Sequence, residues 1–202
     1  MKIPVSGFND NLLEINDLKP LGFHEWVFHP GMLFNSNLKW WGGEGQRITP
    51  HEGVDLCFFR TGANKVLRLN DGTKIPLIYD GMIKAIEKDY LGYSIFVEHE
   101  FFSQNRNRFF SIYGHIDVDP ALKVGRNLKE GTLLGKVAGM SHGKQDIMPH
   151  LHISIAQVDI SFDDKNISWR NVSNSPLVFF LDPIEVLNIR FSFMDEHLLK
   201  GI

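Results

Sequence analysis

Nine histidines stand in this chain, at positions 24, 29, 51, 99, 115, 142, 150, 152 and 197. An imidazole suits both proton transfer and metal ligation near neutral pH, so the question is which of them converge. His150-Leu151-His152 is the most informative group. On a strand, residues i and i+2 face one side, so both imidazoles would look into one site while Leu151 turned to the core. His51-Glu52-Gly53-Val54-Asp55 supplies an imidazole and a carboxylate, both zinc-ligand types. On a straight strand those two would lie ~13 Å apart, four steps of ~3.3 Å. Pro50, Gly53 and Val54 argue against a helix. A turn at Gly53, where glycine permits the needed backbone angles, would bring them together. Tyr113-Gly114-His115 closes an apolar run and predicts His115 at a strand end. Taken singly, each group also reads as surface histidines, a polar turn or an ordinary strand end. Together, two His and one Asp leave the fourth position of a tetrahedral zinc open, as in a catalytic site, and two further His could handle protons.

The elements that must position these residues read as β. Short runs rich in β-branched and aromatic residues recur at 65–69, 74–79, 82–87, 93–99, 108–115, 133–138 and 150–158. Asn70-Asp71-Gly72 and Asp80-Gly81 fall between such runs and predict hairpin turns. Helical period is hard to find before residue 182, where Asp182-Pro183 predicts a short helix over 183–187. The expected class is mostly β: an antiparallel sheet or sandwich with an irregular lead-in and a short C-terminal helix. Residues 1–45, aromatic and turn-rich with Trp26, Phe28, Trp40 and Trp41 among Pro and Gly, read as an irregular N-terminal extension with a strand or two. Residues 46–160 read as the main domain, and 161–202 as a loop and tail packing on it.

Composition narrows the function further. With 202 residues, 43% of them apolar and 22% charged, the chain can bury a core without staples. A net charge of −3 gives no basic excess to drive nucleic-acid binding. The one cysteine, Cys57, cannot form an internal disulfide or a Cys-based structural zinc site, and its apolar neighbours predict a core position. A membrane-spanning helix needs ~20 apolar residues, and the best run, 177–181, stops at Asp182. The first twenty residues lack an apolar signal core. The expectation is a cytosolic chain, one processed before Met1, or one exported by another route.

In this order, the motifs resemble the lysostaphin-type zinc peptidases (LytM-domain endopeptidases, metallopeptidase family twenty-three). The family pattern is HxxxD, a strand ending in Tyr-x-His, then HxH, here His51 to Asp55, Tyr113 to His115 and His150 to His152. Gly72-Thr73-Lys74-Ile75-Pro76 with Asp80-Gly81 is similar to its "GTPV…DG" hairpin, Gly92 to Val97 to its "GYG…V" strand, and Val124 to Gly135 to its "VGD-V-KGQ-IG" stretch. Pro149-His150-Leu151-His152 matches "PHLH", and Leu181-Asp182-Pro183 the closing Asp-Pro. The resemblance implies a lysostaphin-type β fold with a metal groove, and an N-terminal extension, residues 1–45, able to pack on or over that groove. It implies one zinc per chain held by His51, Asp55 and His152, with His115 and His150 as the catalytic pair. It implies a zinc-dependent endopeptidase acting on peptide crosslinks of bacterial peptidoglycan or another peptide, and a cell-envelope or extracellular setting.

Departures and rivals set the tests. The link 57–70 is longer than the family's and adds Arg60, Lys65 and Arg68, read as a rim loop. Ile153-Ser154 replaces the family's aromatic-Glu pair, and Ser154 would share a face with both histidines of HLH. His142 reads as solvated, His197 as a tail residue, His99 as a strand-edge residue, and Arg106 and Arg108 as a basic turn. His24-Glu25-Trp26-Val27-Phe28-His29 has one residue too many for HExxH, since i+5 is rotated ~140° from i. Two other classes remain: a binding or regulatory module of the same fold without turnover, and a non-haem iron enzyme, whose facial triad also uses two His and a carboxylate.

Overall fold

The computed structural model describes residues 3–42, 45–99, 107–139 and 147–195. In chain order the chain forms α1 (Phe8–Ile15), β1 (Phe23–Phe28), β2 (Val54–Leu56), β3 (Phe58–Thr61), β4 (Val66–Arg68), β5 (Lys74–Pro76) and β6 (Gly81–Lys88). There follow β7 (Tyr93–Glu98), β8 (Asn107–Val118), β9 (Asn127–Leu128), β10 (Leu133–Val137), β11 (Leu151–Asp159), α2 (Trp169–Ser173), β12 (Val178–Leu181), α3 (Ile184–Leu187) and β13 (Phe191–Phe193). The fold is mostly β. A small sheet runs β13-β1-β3-β4. A large sheet runs β12-β11-β8-β7-β6-β9, with β2 on β11 and β10 joining β5 to β8. Strand pairs among the described residues are antiparallel except β1 with β13, which is parallel.

The period-2 alternation of the central strands splits the large sheet into two apolar faces. Leu151, Ile153 and Ile155 of β11 enter the larger core, shared with Trp26 and Phe59 of the small sheet and with Phe8 and Leu12 of α1. Ala156 and Val158, one residue out of phase, enter a smaller cluster with Phe96, Phe110 and Ile112, covered by Phe162 and Val172. His152 and Ser154 share the parity of Ala156, so they emerge on the face of the smaller cluster.

Several elements differ from the sequence expectation. Helix α1 stands inside the lead-in, where Asn9, Asp10 and Asn11 hide its period. These are weak helix formers, but burial of Phe8, Leu12 and Leu13 on one side overrides propensity. The two Asp-Gly turns form without making hairpins, because β4 pairs with β3, β5 with β10, and β6 with β7 and β9. Each turn hands the chain from one sheet region to another. The stretch 161–181, read as a loop, contains α2 and β12. The link after Cys57 is no rim loop: it forms β3 and β4 of the small sheet, where Arg60 pairs with Glu25 at 3.5 Å. Arg108 lies within β8, ion-paired to Asp164 and donating to the Phe162 carbonyl (2.8 Å), rather than in a solvated turn. His24 lies within a true strand, β1, and His29 directly after it, where it accepts Gly31 N–H through Nδ1. His142, His197 and Arg106 lie outside the described residues.

Candidate metal and catalytic site

Three strands deliver the site. In the register of β11, His152 stands opposite Asp55 of β2 on one side and Gly114 of β8 on the other. Directly opposed residues share a face, so His152 and Asp55 must meet, while Gly114 leaves room beside the imidazole. His51 enters from the turn before β2, its backbone paired with Asn35 and Ser36. The turn at Gly53 brings His51 Nε2 to 3.2 Å from Asp55 Oδ1. Glycine is required here for space, since its φ is not positive. A Cβ at Gly53 would collide with the Ile153 carbonyl oxygen and come within 2.7 Å of Ser154 Oγ and 2.8 Å of His152 Nε2.

His51, Asp55 and His152 are all buried, and one donor atom from each lies within 4.8 Å of the others. His51 Nε2 is 3.1 Å from His152 Nδ1, and His152 Nδ1 is 2.9 Å from Asp55 Oδ1. The Leu33 carbonyl, 3.1 Å from His51 Nδ1, can only accept, so Nδ1 carries a proton and Nε2 is the nitrogen turned towards Asp55 and His152. His152 Nε2 meets Ser154 Oγ at 2.8 Å, a hydroxyl able to accept from it. Burial would push the Asp55 carboxyl up, but His51, His150 and His152 outweigh that and hold it well below the usual carboxylate range. An ionised carboxylate oxygen and two imidazole nitrogens therefore converge on one buried space. A single proton on His152 Nδ1 cannot point linearly at both. A cation among the three satisfies all of them at once. Tetrahedral zinc with ligands at ~2.0 Å separates its donors by about 3.3 Å, close to the distances here.

His115 and His150 complete the group. The two rings lie 4.8 Å apart, and His115 lies 6.0 Å from His152. His115 is not at a strand end. It sits inside β8 at a bulge, where Gly114 and His115 together oppose the single residue Ser94. Its φ of 64° is the left-handed region, uncommon for a residue with a side chain. The bulge lets Tyr113 and Ile116, an odd number apart, both reach the larger core. Asp89, in the turn between β6 and β7, holds this bend. Its Oδ2 accepts His115 N–H (2.8 Å) and the Ser94 hydroxyl (2.7 Å) and lies 3.3 Å from His115 Nδ1. Burial would raise the Asp89 carboxyl, yet His115 and Ser94 keep it below its ordinary value. His150 donates from Nδ1 to the Met148 carbonyl (2.7 Å), and its Nε2 lies 3.8 Å from Asp55 Oδ1. Burial first, then the nearby His115, lowers His150 to about 4, so it is neutral near pH 7.

These side chains open into a cleft of about 530 Å³, rimmed by Trp41, Glu52, Lys88, Tyr90, Ile147 and Trp169. The structure thus brings together His51, Asp55, His115, His150 and His152, the five positions singled out in the sequence. Other residues at the site escaped the sequence reading. Trp40 donates from Nε1 to Asp55 Oδ2 at 2.7 Å, and Arg47 lies 3.5 Å from the same oxygen. Trp169 Nε1 donates to Ser94 Oγ (2.6 Å), with its ring 5.4 Å from His152. The only trace of these in the sequence is a run of tryptophans among glycines, and Asp89 three residues before Gly92. Cys57 is buried, its thiol pushed up by burial and by Asp55, which suits a core position.

A strand-built cleft over a His/Asp/His cluster is the arrangement of a β-fold metallopeptidase. Residues 49–165, more than half of the chain, match the model of Peptidase family M23, and the chain belongs to that family. Similar solved structures include lysostaphin, 21% identical with a TM-score of 0.40, covering 68% of this chain and 51% of lysostaphin. The catalytic domain of a prophage-encoded M23 protein from Enterococcus faecalis is 21% identical with a TM-score of 0.37, covering 71% of this chain and 98% of that domain. A zinc-containing peptidase from Vibrio cholerae is 20% identical with a TM-score of 0.40, covering 70% of this chain and 41% of that one. The chain thus spans about half the length of lysostaphin. No curated protein matches the sequence. Among the described residues no helix is long and apolar enough to cross a membrane.

Proposed function

We propose that this protein is a zinc-dependent endopeptidase that hydrolyses peptide bonds, with peptide crosslinks of bacterial peptidoglycan as its substrate class. The observation that carries the reading is the convergence of His51 Nε2, Asp55 Oδ1 and His152 Nδ1 in one buried space, at separations that suit tetrahedral zinc. These three residues would hold one zinc per chain. When bound, zinc supplies Lewis-acid chemistry, acidifying water towards a pKa of about 7 and polarising a peptide carbonyl. The peptidoglycan assignment rests on the family's motifs.

The rest is done by the chain's own side chains. His150, neutral and fixed through Nδ1, presents Nε2 to the cleft, where it can accept a proton or bond a developing oxyanion. His115 has its Nδ1 side against Asp89, which leaves Nε2 as the nitrogen for proton exchange and orients the ring. Two imidazoles 4.8 Å apart can take a proton from water and return one to the leaving amine. Trp169 and Tyr90 line the cleft beside these groups.

The test is metal content of the purified protein together with cleavage of purified peptidoglycan before and after chelation. About one zinc per chain with chelator-sensitive cleavage supports the reading. One zinc with no cleavage of any wall type would point to a binding module instead, and iron in place of zinc to the non-haem iron enzyme. The variant His115→Ala should keep its zinc and lose turnover by about 10²–10⁴-fold, the usual worth of a positioned proton-transfer group.

A further inference from the structure

We infer that Trp40 and Arg47, which precede the stretch matched by the family model, are positioning residues that set the metal affinity of the site by clamping the outer oxygen of Asp55. The inference rests on the metal reading above and deepens it. A carboxylate has two oxygens, and a monodentate ligand must be told which one to turn inward. Asp55 Oδ1 faces His51 and His152, while Oδ2 receives Trp40 Nε1–H at 2.7 Å and stands 3.5 Å from Arg47. Both donors are themselves held. Trp40 is buried, with its ring edge-on to His150 at 4.9 Å and to Phe58 at 6.4 Å. Arg47 donates to the carbonyls of Gly31 (3.0 Å) and Leu38 (3.1 Å), and its guanidinium stacks 4.4 Å over Trp41. A rigid indole N–H thus occupies a lone pair of Oδ2 and a fixed guanidinium holds the same oxygen by its charge, opposing rotation of Asp55 or binding through both oxygens. Trp40 also touches His150, so one lead-in residue braces a candidate metal ligand and a candidate proton carrier together.

Removing an outer partner of a metal ligand typically costs 10–100-fold in metal affinity. The experiment measures zinc dissociation constants by chelator competition, and cobalt(II) absorption spectra, for the full chain and for Trp40→Phe, which keeps an aromatic ring but removes the donor. The expected result is zinc affinity weakened about 10–100-fold and a changed cobalt spectrum. Trp26→Phe is the control: Trp26 is also buried and donates from Nε1 to Asn9 at 2.9 Å, away from the site. It should lower thermal stability and leave zinc affinity and the cobalt spectrum unchanged. If Trp40→Phe does not fold, Arg47→Gln carries the test in the same direction with a smaller loss. Wild-type affinity and an unchanged spectrum in the clamp variant overturn the inference while the metal reading stands. A wild-type chain that binds no zinc overturns the metal reading itself.

Discussion

Two buried histidine neighbourhoods in this molecule obey opposite rules. His99, at the end of β7, is fully buried and fully paired. Its Nδ1–H donates to the Asp80 carbonyl (2.9 Å), and Nε2 meets the Ser111 hydroxyl (2.7 Å). Ser111 Oγ and Tyr113 Oη lie 3.0 Å apart, and Tyr113 Oη accepts Ile78 N–H at 2.9 Å. Every donor there finds an acceptor, as buried polar groups require. His51, Asp55 and His152 are also buried, but there two imidazole nitrogens and a carboxylate oxygen converge on one space at the floor of a cleft. Histidine content does not separate the two regions. The convergence of groups able to ligate a metal does. His99 locks the chain where β6 begins, whereas the other cluster gathers such groups at one point.

That contrast can be broken most directly by removing a member of the convergent cluster. His152→Ala should reduce zinc affinity by more than about 100-fold, beyond the usual cost of losing an outer partner. Equilibrium dialysis against zinc buffers reads the loss, and stoichiometric zinc in the variant would remove the difference between the regions. In the unaltered protein, saturating zinc should raise the unfolding free energy by about 4 kcal/mol at a thousandfold excess over its dissociation constant. His152→Ala should forfeit that gain.

His99 should reveal itself through protons instead. Burial, the largest cause, lowers it to about 4, against bonds from Asp80 that favour its charge. A histidine held neutral on folding contributes stability that is fully present above its ordinary value near 6.5 and is lost as pH falls towards 4. In that window the unfolded chain binds the extra proton, so stability falls with falling pH, by about 3 kcal/mol in all. Urea unfolding of His99→Gln should show a flatter dependence between pH 6.5 and 4 than the wild type, with zinc content unchanged at pH 7. Equal slopes would mean that His99 is not held neutral. The smallest effect belongs to Ser154→Ala, which removes the hydroxyl beside His152 Nε2. Zinc affinity should fall by about tenfold, the lower end for an outer partner. No change would show that His152 needs no help to hold its inner lone pair.

Both kinds of neighbourhood were partly legible before any tertiary structure. HxH on a strand places two imidazoles on one face whatever the rest of the chain does, because the side-chain period of a strand is two. His51 and Asp55 were legible as a pair only if the chain turned between them. It does turn, but glycine is there because the Ile153 carbonyl and Ser154 leave no room for a Cβ, a contact across a hundred residues. His99 was misread as an edge residue, because its partners Asp80 and Ser111 meet it only once β6, β7 and β8 pair. Helix α1 was masked by Asn and Asp, whose low propensity was outweighed by burial that a local reading does not see.

The sequence by itself determined the β class, the order of the motifs and the residue types that could ligate a metal or move a proton, since alternation and side-chain chemistry are local properties. The tertiary structure decided everything that depends on a partner. The register of β2 and β8 on β11 set Asp55 and Gly114 beside His152. The bulge held by Asp89 turned His115 into the group. The fold of the lead-in brought Trp40 and Arg47 onto the far oxygen of Asp55. The physical reason is common to all three. A hydrogen bond or a shared ligand is a property of two groups at one place, and only folding puts them there.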